Sequence, residues 1–413
     1  MEGLGNFFSV SLVQSFIDAW DSINYVLVYG GWFLVALTIA GIFYAMWLEK
    51  KQHHYIDNID YVYLDISVPE LPSPSILAAE LMFAQIHATK KNFNFRERYI
   101  LGHKPTWFSF EMVSLGGVIR YIIRTPREFG DAVRSAIYSQ YPDAEMNEAG
   151  DYMEAFNLPY NPDEVDYDLW GTDLELAKND VYPIKTYPLF EHRAAETIID
   201  PLAALIEDIA NIDPEEMLAV QILAQPSGDE WKKHGEEEVK KLKGWHEKRE
   251  GDTEDRTPIS LMQHLSESEK NVITSIQVKL GKLSYLSKVR FLYAAPKDKL
   301  KRTVRVPAVE GSFAQFSAFD LNSFKKNKFT ATKHDIKLSE KLQGKRASDL
   351  VLWKKREFIR NFKGRKFHRG GVRYHLSTEE LASLYHFPLE EVRKTTIQKI
   401  EARKAEPPVN LPI

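Results

Sequence analysis

Lysine and arginine alternate with aromatic residues between positions 341 and 370, in the C-terminal part of the chain. Eleven basic residues in this stretch are opposed by only Asp349 and Glu357. Basic side chains neutralise phosphates, and aromatic rings between them provide faces on which unpaired bases stack. This composition is typical of a contact with single-stranded DNA. The candidate contact residues are Trp353, Lys354, Lys355, Arg356, Phe358, Arg360, Lys363, Arg365, Lys366 and Arg369.

Two other interpretations of this basic region stay open. It could be a structural helix whose aromatic residues, such as Trp353, Phe358 and Phe362, enter the core while its charges face water. Alternatively, its cations could be attracted to anionic lipid head groups. The part of the chain from Lys279 onward has a balance of +18 and the part before it a balance of −22. This asymmetry indicates a basic end that faces a partner and an acidic body, and the alternative is that the two parts neutralise each other within one fold.

The sequence contains no recognisable catalytic, cofactor-binding or metal-binding pattern. It has no cysteine, which excludes thiol nucleophiles and cysteine-based zinc or iron–sulfur sites. The glycine-rich lysine motif that holds nucleotide phosphates is absent, as are the nucleophile elbow and the two-histidine zinc motif. His53 and His54 are adjacent, so on a helix their side chains point in different directions. We therefore expect a protein that is not an enzyme and that binds no cofactor.

A membrane anchor is predicted near the N-terminus. No charged residue lies between Asp21 and Glu49. Residues 25–48 within this stretch are long enough to cross a bilayer as a helix, for which about 20 apolar residues suffice. Tyrosine and tryptophan residues near both ends suit the two membrane–water interfaces.

The charges that flank this span predict its orientation. Lys50 and Lys51 follow it directly, whereas no lysine or arginine precedes it. The positive-inside rule then predicts an external segment at residues 1–24, a linker at 49–60 and a C-terminal body in the cytoplasm. The predicted location is the cytoplasmic (inner) membrane, crossed once.

An α+β fold is predicted for the body. Residues 61–152 show the order strand–helix–strand–strand–helix–strand, with Gly116 and Gly117 as a two-residue hairpin turn. This order is that of the ferredoxin-like split βαβ motif. The sequence therefore predicts a ferredoxin-like domain directly after the linker.

The rest of the body is predicted to contain a second α+β domain and an arm. Residues 166–324 again mix strands and helices and form a degenerate second unit of the same type. Within it, residues 182–188 are predicted to be a strand and residues 309–324 a helix. Residues 325–413 are predicted to form a basic helical arm with a proline-rich tail.

Three stretches of the chain resemble a known class of proteins. They are "FSFEMVSLGGVIRYIIRTPREF…SAIYSQYPDAEM" within residues 108–146, "STEELASLYHFP" at 377–388 and "PPVNLP" at 407–412. They are similar to the region that precedes the motor in membrane-anchored type IV secretion and conjugation ATPases of candidate-phyla-radiation bacteria. These ATPases are HerA/FtsK-like and include coupling proteins of the TraD type. The likeness spans most of the chain after the membrane segment, but the ATPase core and its Walker motifs are absent.

This resemblance implies a non-catalytic adaptor or scaffold in a type IV secretion or conjugative DNA-translocation machinery. The implied partners are the lipid bilayer, a separate P-loop ATPase and single-stranded DNA, and ring-forming relatives imply a homo-oligomer. The alternative is a membrane-tethered scaffold that binds nucleic acid or anionic lipid and has no part in secretion.

Overall fold

The computed structural model describes residues 32–68, 75–156, 160–192, 197–198, 200–243, 265–332 and 345–388, with isolated positions before Trp32. These residues form two compact units. One consists of residues 1–59 and 91–105, and the other of residues 60–90 and 106–413. Most of the predicted external segment and the whole of the proline-rich tail lie outside the described residues.

One antiparallel sheet of nine strands organises the second unit. Its strands are β1 (Tyr61–Ser67), β2 (Phe108–Leu115), β3 (Val118–Pro126), β4 (Glu145–Ala149), β5 (Tyr167–Leu176), β8 (Met217–Pro226), β9 (Ser284–Pro296), β10 (Phe324–Lys326) and β11 (Tyr374–Ser377). The order is β10-β5-β9-β8-β2-β3-β1-β4, and β11 pairs with the first residues of β9. A separate ribbon consists of β6 (Glu191–His192) and β7 (Thr197–Ile198).

Nine α-helices accompany the strands in the described part of the chain. They are α1 (Trp32–Asp57), α2 (Ile76–His87), α3 (Gly130–Gln140), α4 (Ala203–Ala210), α5 (Lys232–Leu242), α6 (Glu267–Leu280), α7 (Arg302–Ala314), α8 (Lys345–Lys363) and α9 (Thr378–Leu384). The protein is thus a mixed α/β protein with an antiparallel sheet and an apolar N-terminal helix.

The sheet consists of two halves with the same order of elements. In the first half, β1, α2, β2, β3, α3 and β4 follow one another, and the strands lie in the order β2-β3-β1-β4. In the second half, β5, α4, β8, β9, α7 and β10 give the mirrored order β10-β5-β9-β8, with α5 and α6 inserted between β8 and β9. The second strand of each half joins the two, because β2 pairs with β8 over eight residues. The two predicted α+β regions are therefore halves of one sheet.

Both faces of the central strands are covered. In β2, Phe108, Phe110 and Met112 point into the main core, because alternate residues of a strand face opposite sides. Helices α2, α3, α4, α7 and α9 contribute to this core. Ser109 and Glu111 point to the opposite face and are fully buried as well.

Helix α8 closes this opposite face of the sheet. Its buried residues Phe358, Ile359 and Phe362 pack with Leu169 of β5 and with other side chains of the same face. Gly171 of β5 permits this close approach, since a Cβ atom there would lie 2.0 Å from the ring of Phe358. The predicted basic arm is therefore, at Lys345–Lys363, a helix that packs against the sheet.

Helix α1 is the only described helix that is long and apolar enough to cross a membrane. It coincides with the predicted span from Trp32 onward. The predicted linker is helical up to Asp57, so Lys50 and Lys51 lie on the continuous helix rather than in a loop.

Two elements of the second half differ from the prediction. Residues 182–188 form a loop and a 3₁₀ turn instead of a strand, because Pro183 and Pro188 remove two backbone donors. The side-chain amide of Asn322 holds this loop by donating to the carbonyl oxygens of Asn179 (2.9 Å) and Tyr182 (3.0 Å). The predicted helix at 309–324 begins earlier, at Arg302, and ends at Ala314.

Candidate functional site

Helix α8 and the loop that follows it contain all the predicted contact residues. Trp353, Arg356 and Arg360 lie on the exposed side of the helix at spacings of three and four residues, which place them on one face. Trp353 is 58% exposed. Arg369, in the loop after the helix, is exposed too. These four residues form the outer face of α8.

The half-buried cations of α8 are bound to the body of the protein. Lys355 Nζ lies 2.5 Å from Asp168 Oδ1, and Lys363 Nζ donates to the carbonyl oxygen of Phe156 at 2.7 Å. Burial alone would raise the pKa of Asp168, but the ammonium group of Lys355 together with hydrogen bonds from Tyr160 and the Leu169 amide outweighs burial and lowers it. These cations therefore hold the helix on the body.

The other four predicted cations of α8 and the start of the following loop are partly engaged or half-buried. Arg356 donates through Nε to the carbonyl oxygen of Tyr160 at 2.7 Å, and Lys354 donates to that of Lys328 at 3.2 Å. Lys366 is half-buried. Arg360 pairs with Glu357 on the helix surface, where an ion pair contributes little to stability.

Phe358 and Arg365 are not available to a ligand. The side chain of Phe358 is buried between α8 and the sheet. Arg365, just after the end of the helix, is fully buried. Phe362 and Phe367 are buried as well. For these aromatic residues the structure agrees with a structural helix, one of the interpretations that the sequence leaves open. The reason is that the sheet face beneath α8 needs an apolar cover.

A row of four polar side chains crosses the sheet beneath α8. Asp173, Arg290, Gln221 and Glu111 occupy neighbouring positions on β5, β9, β8 and β2, because the register pairs each with the next. Arg290 donates to Gln221 Oε1 at 2.7 Å, and Gln221 donates to Glu111 Oε1 at 3.0 Å. We call these four residues the polar row. All four are buried.

Arg365 lies over the end of the polar row at Glu111. Its Nε and Nη2 donate to the two carboxylate oxygens of Glu111 at 3.0 and 3.2 Å. The same guanidinium group donates to both oxygens of Asp151, at 2.5 and 2.7 Å. Burial alone would raise the pKa of Glu111 and lower that of Arg365. Their mutual attraction, together with a hydrogen bond from Ser109 to Glu111 and the bonds from Arg365 to Asp151, outweighs burial, so the pKa of Glu111 is lowered and that of Arg365 is raised.

Two further contacts fix the chain over the polar row. Arg290 Nη2 donates to the carbonyl oxygen of Asn361 at 3.0 Å, and Gly371 N donates to Asp173 Oδ2 at 2.7 Å. Arg365 has φ of +46°, an uncommon value for a residue with a side chain. The loop after α8 is therefore held in a strained conformation by buried polar contacts.

The segment from β11 to α9 is built into the main core. Ser377 and Glu380 form a reciprocal capping box at the start of α9. Glu380 also pairs with Lys279 at 3.0 Å, and both side chains are buried. Ile184 N donates to Glu380 Oε1 at 3.0 Å. One carboxylate thus joins α9, α6 and the loop that precedes β6.

A second buried contact holds the end of this segment. His386 Nε2 lies 3.0 Å from Asp200 Oδ1. His386 Nδ1 lies 2.7 Å from the carbonyl oxygen of Ala382. Tyr385 and Phe387 belong to the main core. The stretch that resembles sequences upstream of secretion motors is thus fixed to the body at both ends.

The described residues contain no group of three or more His, Asp or Glu side chains arranged to hold a metal ion. The polar row is the feature of the sheet face beneath α8 that the sequence reasoning missed. Its signal is a long polar residue with an apolar neighbour on each side in the strand: Glu111 in "FSFEMVSL", Gln221 in "MLAVQILAQP" and Arg290 in "KVRFLYAAP". The strand register that aligns them is not visible in the sequence.

The fold and site define a protein with an N-terminal apolar helix and a sheet-based body that carries a buried ionic cluster. Residues 78–400, more than three quarters of the chain, match the family described as "Domain of unknown function (DUF8128)". The chain belongs to this family. No curated protein matches the sequence significantly.

Proposed function

We propose that this protein is a membrane-anchored, non-catalytic adaptor or scaffold of a type IV secretion or conjugative DNA-translocation machinery, which works with a separate P-loop ATPase. One observation carries most of this proposal. The segment Ser377–Phe387, which resembles the sequence directly upstream of such motors, is built into the core of the body through Glu380 and His386. A partner that binds next to this segment is thereby coupled to a rigid sheet.

The membrane anchor in this proposal is α1. Its apolar residues from Trp32 to Trp47 are exposed, which suits contact with lipid. Lys50 and Lys51 favour a body on the cytoplasmic side of the inner membrane. A reporter that is active only in the cytoplasm, fused to the C-terminus, should therefore be active, and activity of a periplasmic reporter would contradict this orientation.

The body in this proposal contains two ferredoxin-like units. Both halves of the sheet have their strands in the order fourth–first–third–second, which is expected for the split βαβ motif. The polar row lies where the two halves meet, and helix α8 covers it. Buried ionic contacts of this kind favour one register over others, which is useful in a scaffold.

The adaptor role is tested by purification of the tagged full-length protein from native membranes. We expect a P-loop ATPase to co-purify, together with ATP hydrolysis that a Walker-lysine substitution in that partner abolishes. Leu384→Asp, which puts a charge into the main core at α9, should abolish co-purification, whereas Leu77→Ser, at an exposed position of α2, should not. Recovery of the protein without any ATPase would contradict the proposal.

A second candidate function is binding of nucleic acid or anionic lipid, with no role in secretion. The observation in its favour is the outer face of α8, where Trp353, Arg356, Arg360 and Arg369 are exposed. Lys355 and Lys363 do not belong to this face. They keep it exposed by binding Asp168 and the carbonyl oxygen of Phe156, which holds the helix on the body.

A further inference from the structure

A short segment outside the sheet packs along helix α1. Residues 91–105 follow α2 in the sequence, yet they belong to the same compact unit as α1. Near the end of α1, the ring of Tyr55 stacks on His103, with centroids 4.5 Å apart, and meets the edge of Phe93. Gly102 packs so closely on the helix that a Cβ atom there would lie 2.8 Å from Lys51 Cβ.

The tip of this segment reaches the apolar part of α1. Tyr44 Oη donates to the carbonyl oxygen of Tyr99 at 2.9 Å. Tyr44 lies eleven residues before Tyr55, so the segment extends along the helix by about 16 Å. Tyr44 also lies five residues before Glu49, which is the first charged residue after the span. The backbone of Tyr99 is thus about 7.5 Å into the uncharged stretch of the helix.

The side chains at the tip are apolar and exposed. The exposed fraction is 75% for Phe95, 50% for Ile100 and 45% for Leu101. Tyr99 is exposed as well, and its ring lies 4.8 Å from that of Phe95. Exposed apolar residues at the level of a membrane-spanning helix are suited to lipid rather than to water.

The charges of the segment fit the same environment. Residues 91–105 include the basic residues Lys91, Arg96, Arg98 and Lys104 against Glu97 alone, a balance of +3. Glu97 is engaged locally, because its Oε2 accepts from Asn94 N at 2.8 Å. Basic residues next to exposed aromatic and aliphatic side chains are typical of segments that lie in the head-group region of an anionic leaflet.

We infer that residues 91–105 form a second membrane contact, in which Phe95, Ile100 and Leu101 enter the boundary between head groups and acyl chains beside α1. This inference rests on the proposed membrane anchor. The contact fixes the rotation and depth of α1 at the interface, because Tyr44, Lys51 and Tyr55 connect the helix to a segment that is itself held by lipid. The hydrogen bond of Tyr44 also satisfies a phenol that otherwise faces the bilayer.

The experiment uses single labelled cysteines, since the chain has none of its own. Ile100→Cys and, independently, Phe95→Cys place an environment-sensitive fluorophore at the tip. Ile42→Cys labels an exposed position inside the proposed span, and Asn58→Cys labels one just beyond the end of α1. Full-length protein is reconstituted in nanodiscs of phosphatidylcholine and phosphatidylglycerol, with or without a lipid spin-labelled near the top of its acyl chains.

We expect quenching at positions 95 and 100 comparable to that at position 42, and little quenching at position 58. Quenching at 42 combined with values at 95 and 100 as low as at 58 would overturn the inference and leave the anchor in place. Equal quenching at 58 and 100 would overturn it too, because the tip would then be no deeper than the exposed end of the helix. An unquenched label at 42 would remove the anchor itself and the inference with it.

Discussion

Arg365 and Glu111 form a bidentate ion pair in which neither side chain is exposed to solvent, although 254 positions separate them in the chain. The pair joins the loop after α8 to the central strand β2. Trp107 reinforces it, since its indole Nε1 donates to the carbonyl oxygen of Arg365 at 2.9 Å. The C-terminal part of the body is thereby anchored to the middle of the sheet.

Arg365→Met is expected to destabilise the protein strongly. The substitution leaves the carboxylate of Glu111 buried without its cation, which typically costs about 3–5 kcal/mol. Arg360→Met, on the exposed side of α8, is the matched control and should change the free energy of unfolding by no more than about 1 kcal/mol. Denaturant unfolding of the full-length protein in detergent measures both.

A double variant separates loss of the ion pair from loss of packing. In Glu111→Gln with Arg365→Met, the fully buried carboxylate of Glu111 is no longer left without a cation, and only the more exposed carboxylate of Asp151 loses its partner, so part of the lost stability should return. A double variant less stable than Arg365→Met alone would show that the pair is not the main contribution of these two residues.

Lys288 should make the stability depend on pH. Burial lowers its pKa to about 7, and its Nζ donates to the carbonyl oxygen of Arg369 at 2.5 Å. In the unfolded chain the pKa of lysine is about 10.4, so between these two values the unfolded state binds more protons. Stability then rises with pH from about 7 to about 10, by at most about 1.4 kcal/mol per pH unit.

The comparison of wild type with Lys288→Met isolates this contribution. The difference between their unfolding free energies should change over pH 7–9, with the wild type gaining stability relative to the variant as the pH rises. Lys270→Met, at a half-exposed position of α6 where Lys270 pairs with Glu267, is the control and should leave the wild-type slope unchanged. Parallel curves for wild type and Lys288→Met would mean that Lys288 stays charged in the folded protein.

Two aromatic residues of α8 should respond differently to truncation. Phe358 is buried against Gly171 and Phe362, so Phe358→Ala should cost about 3–5 kcal/mol. Trp353 is largely exposed, so Trp353→Ala should change stability by no more than about 0.5 kcal/mol. Thermal unfolding of both variants checks this, and equal losses would contradict the position of α8 on the sheet.

The strands of the first half could be predicted from local patterns. Alternating residues in "YVYLDIS" and the Gly116–Gly117 turn determine β1 and the β2–β3 hairpin without long-range information. Both turn glycines have positive φ, +58° and +87°, as such a turn requires. The prediction of a strand at 182–188 is wrong for two reasons. The strand pattern takes no account of the two prolines, and the hydrogen bonds from Asn322 that hold the loop come from a distant part of the sequence.

The candidate site was less predictable because it depends on pairing between distant strands. Glu111, Gln221 and Arg290 belong to three separate segments, and only their register brings them into one row. The composition of α8 shows many cations and aromatics but not which side faces the sheet. Of the ten predicted contact residues, Phe358 and Arg365 are buried and Lys355 and Lys363 hold the helix in place, whereas Trp353, Arg356, Arg360 and Arg369 face outward.

The outer face of α8 allows a sharp test of nucleic-acid binding. Arg360→Glu with Arg369→Glu reverses two exposed charges and leaves the buried contacts intact. If the face binds single-stranded DNA, affinity should fall for all sequences alike, because phosphate contacts carry no base information. The dependence of log Kd on log salt should lose about 1.4 in slope for two phosphate contacts. Fluorescence anisotropy with labelled oligonucleotides and full-length protein measures both quantities.

Two further variants complete this test of the outer face. Trp353→Ala should weaken binding by about 1–3 kcal/mol if a base stacks on the indole, without loss of stability. Lys233→Glu with Lys240→Glu makes the same charge change on the exposed side of α5 and should leave affinity unchanged. Equal losses from both charge reversals would mean that only the overall charge of the protein matters. If the α8 variants, held in nanodiscs through α1, instead bind DNA normally but no longer capture added phosphatidylglycerol vesicles as the wild type does, the ligand of this face is anionic lipid, because exposed cations bind head-group phosphates without needing the indole.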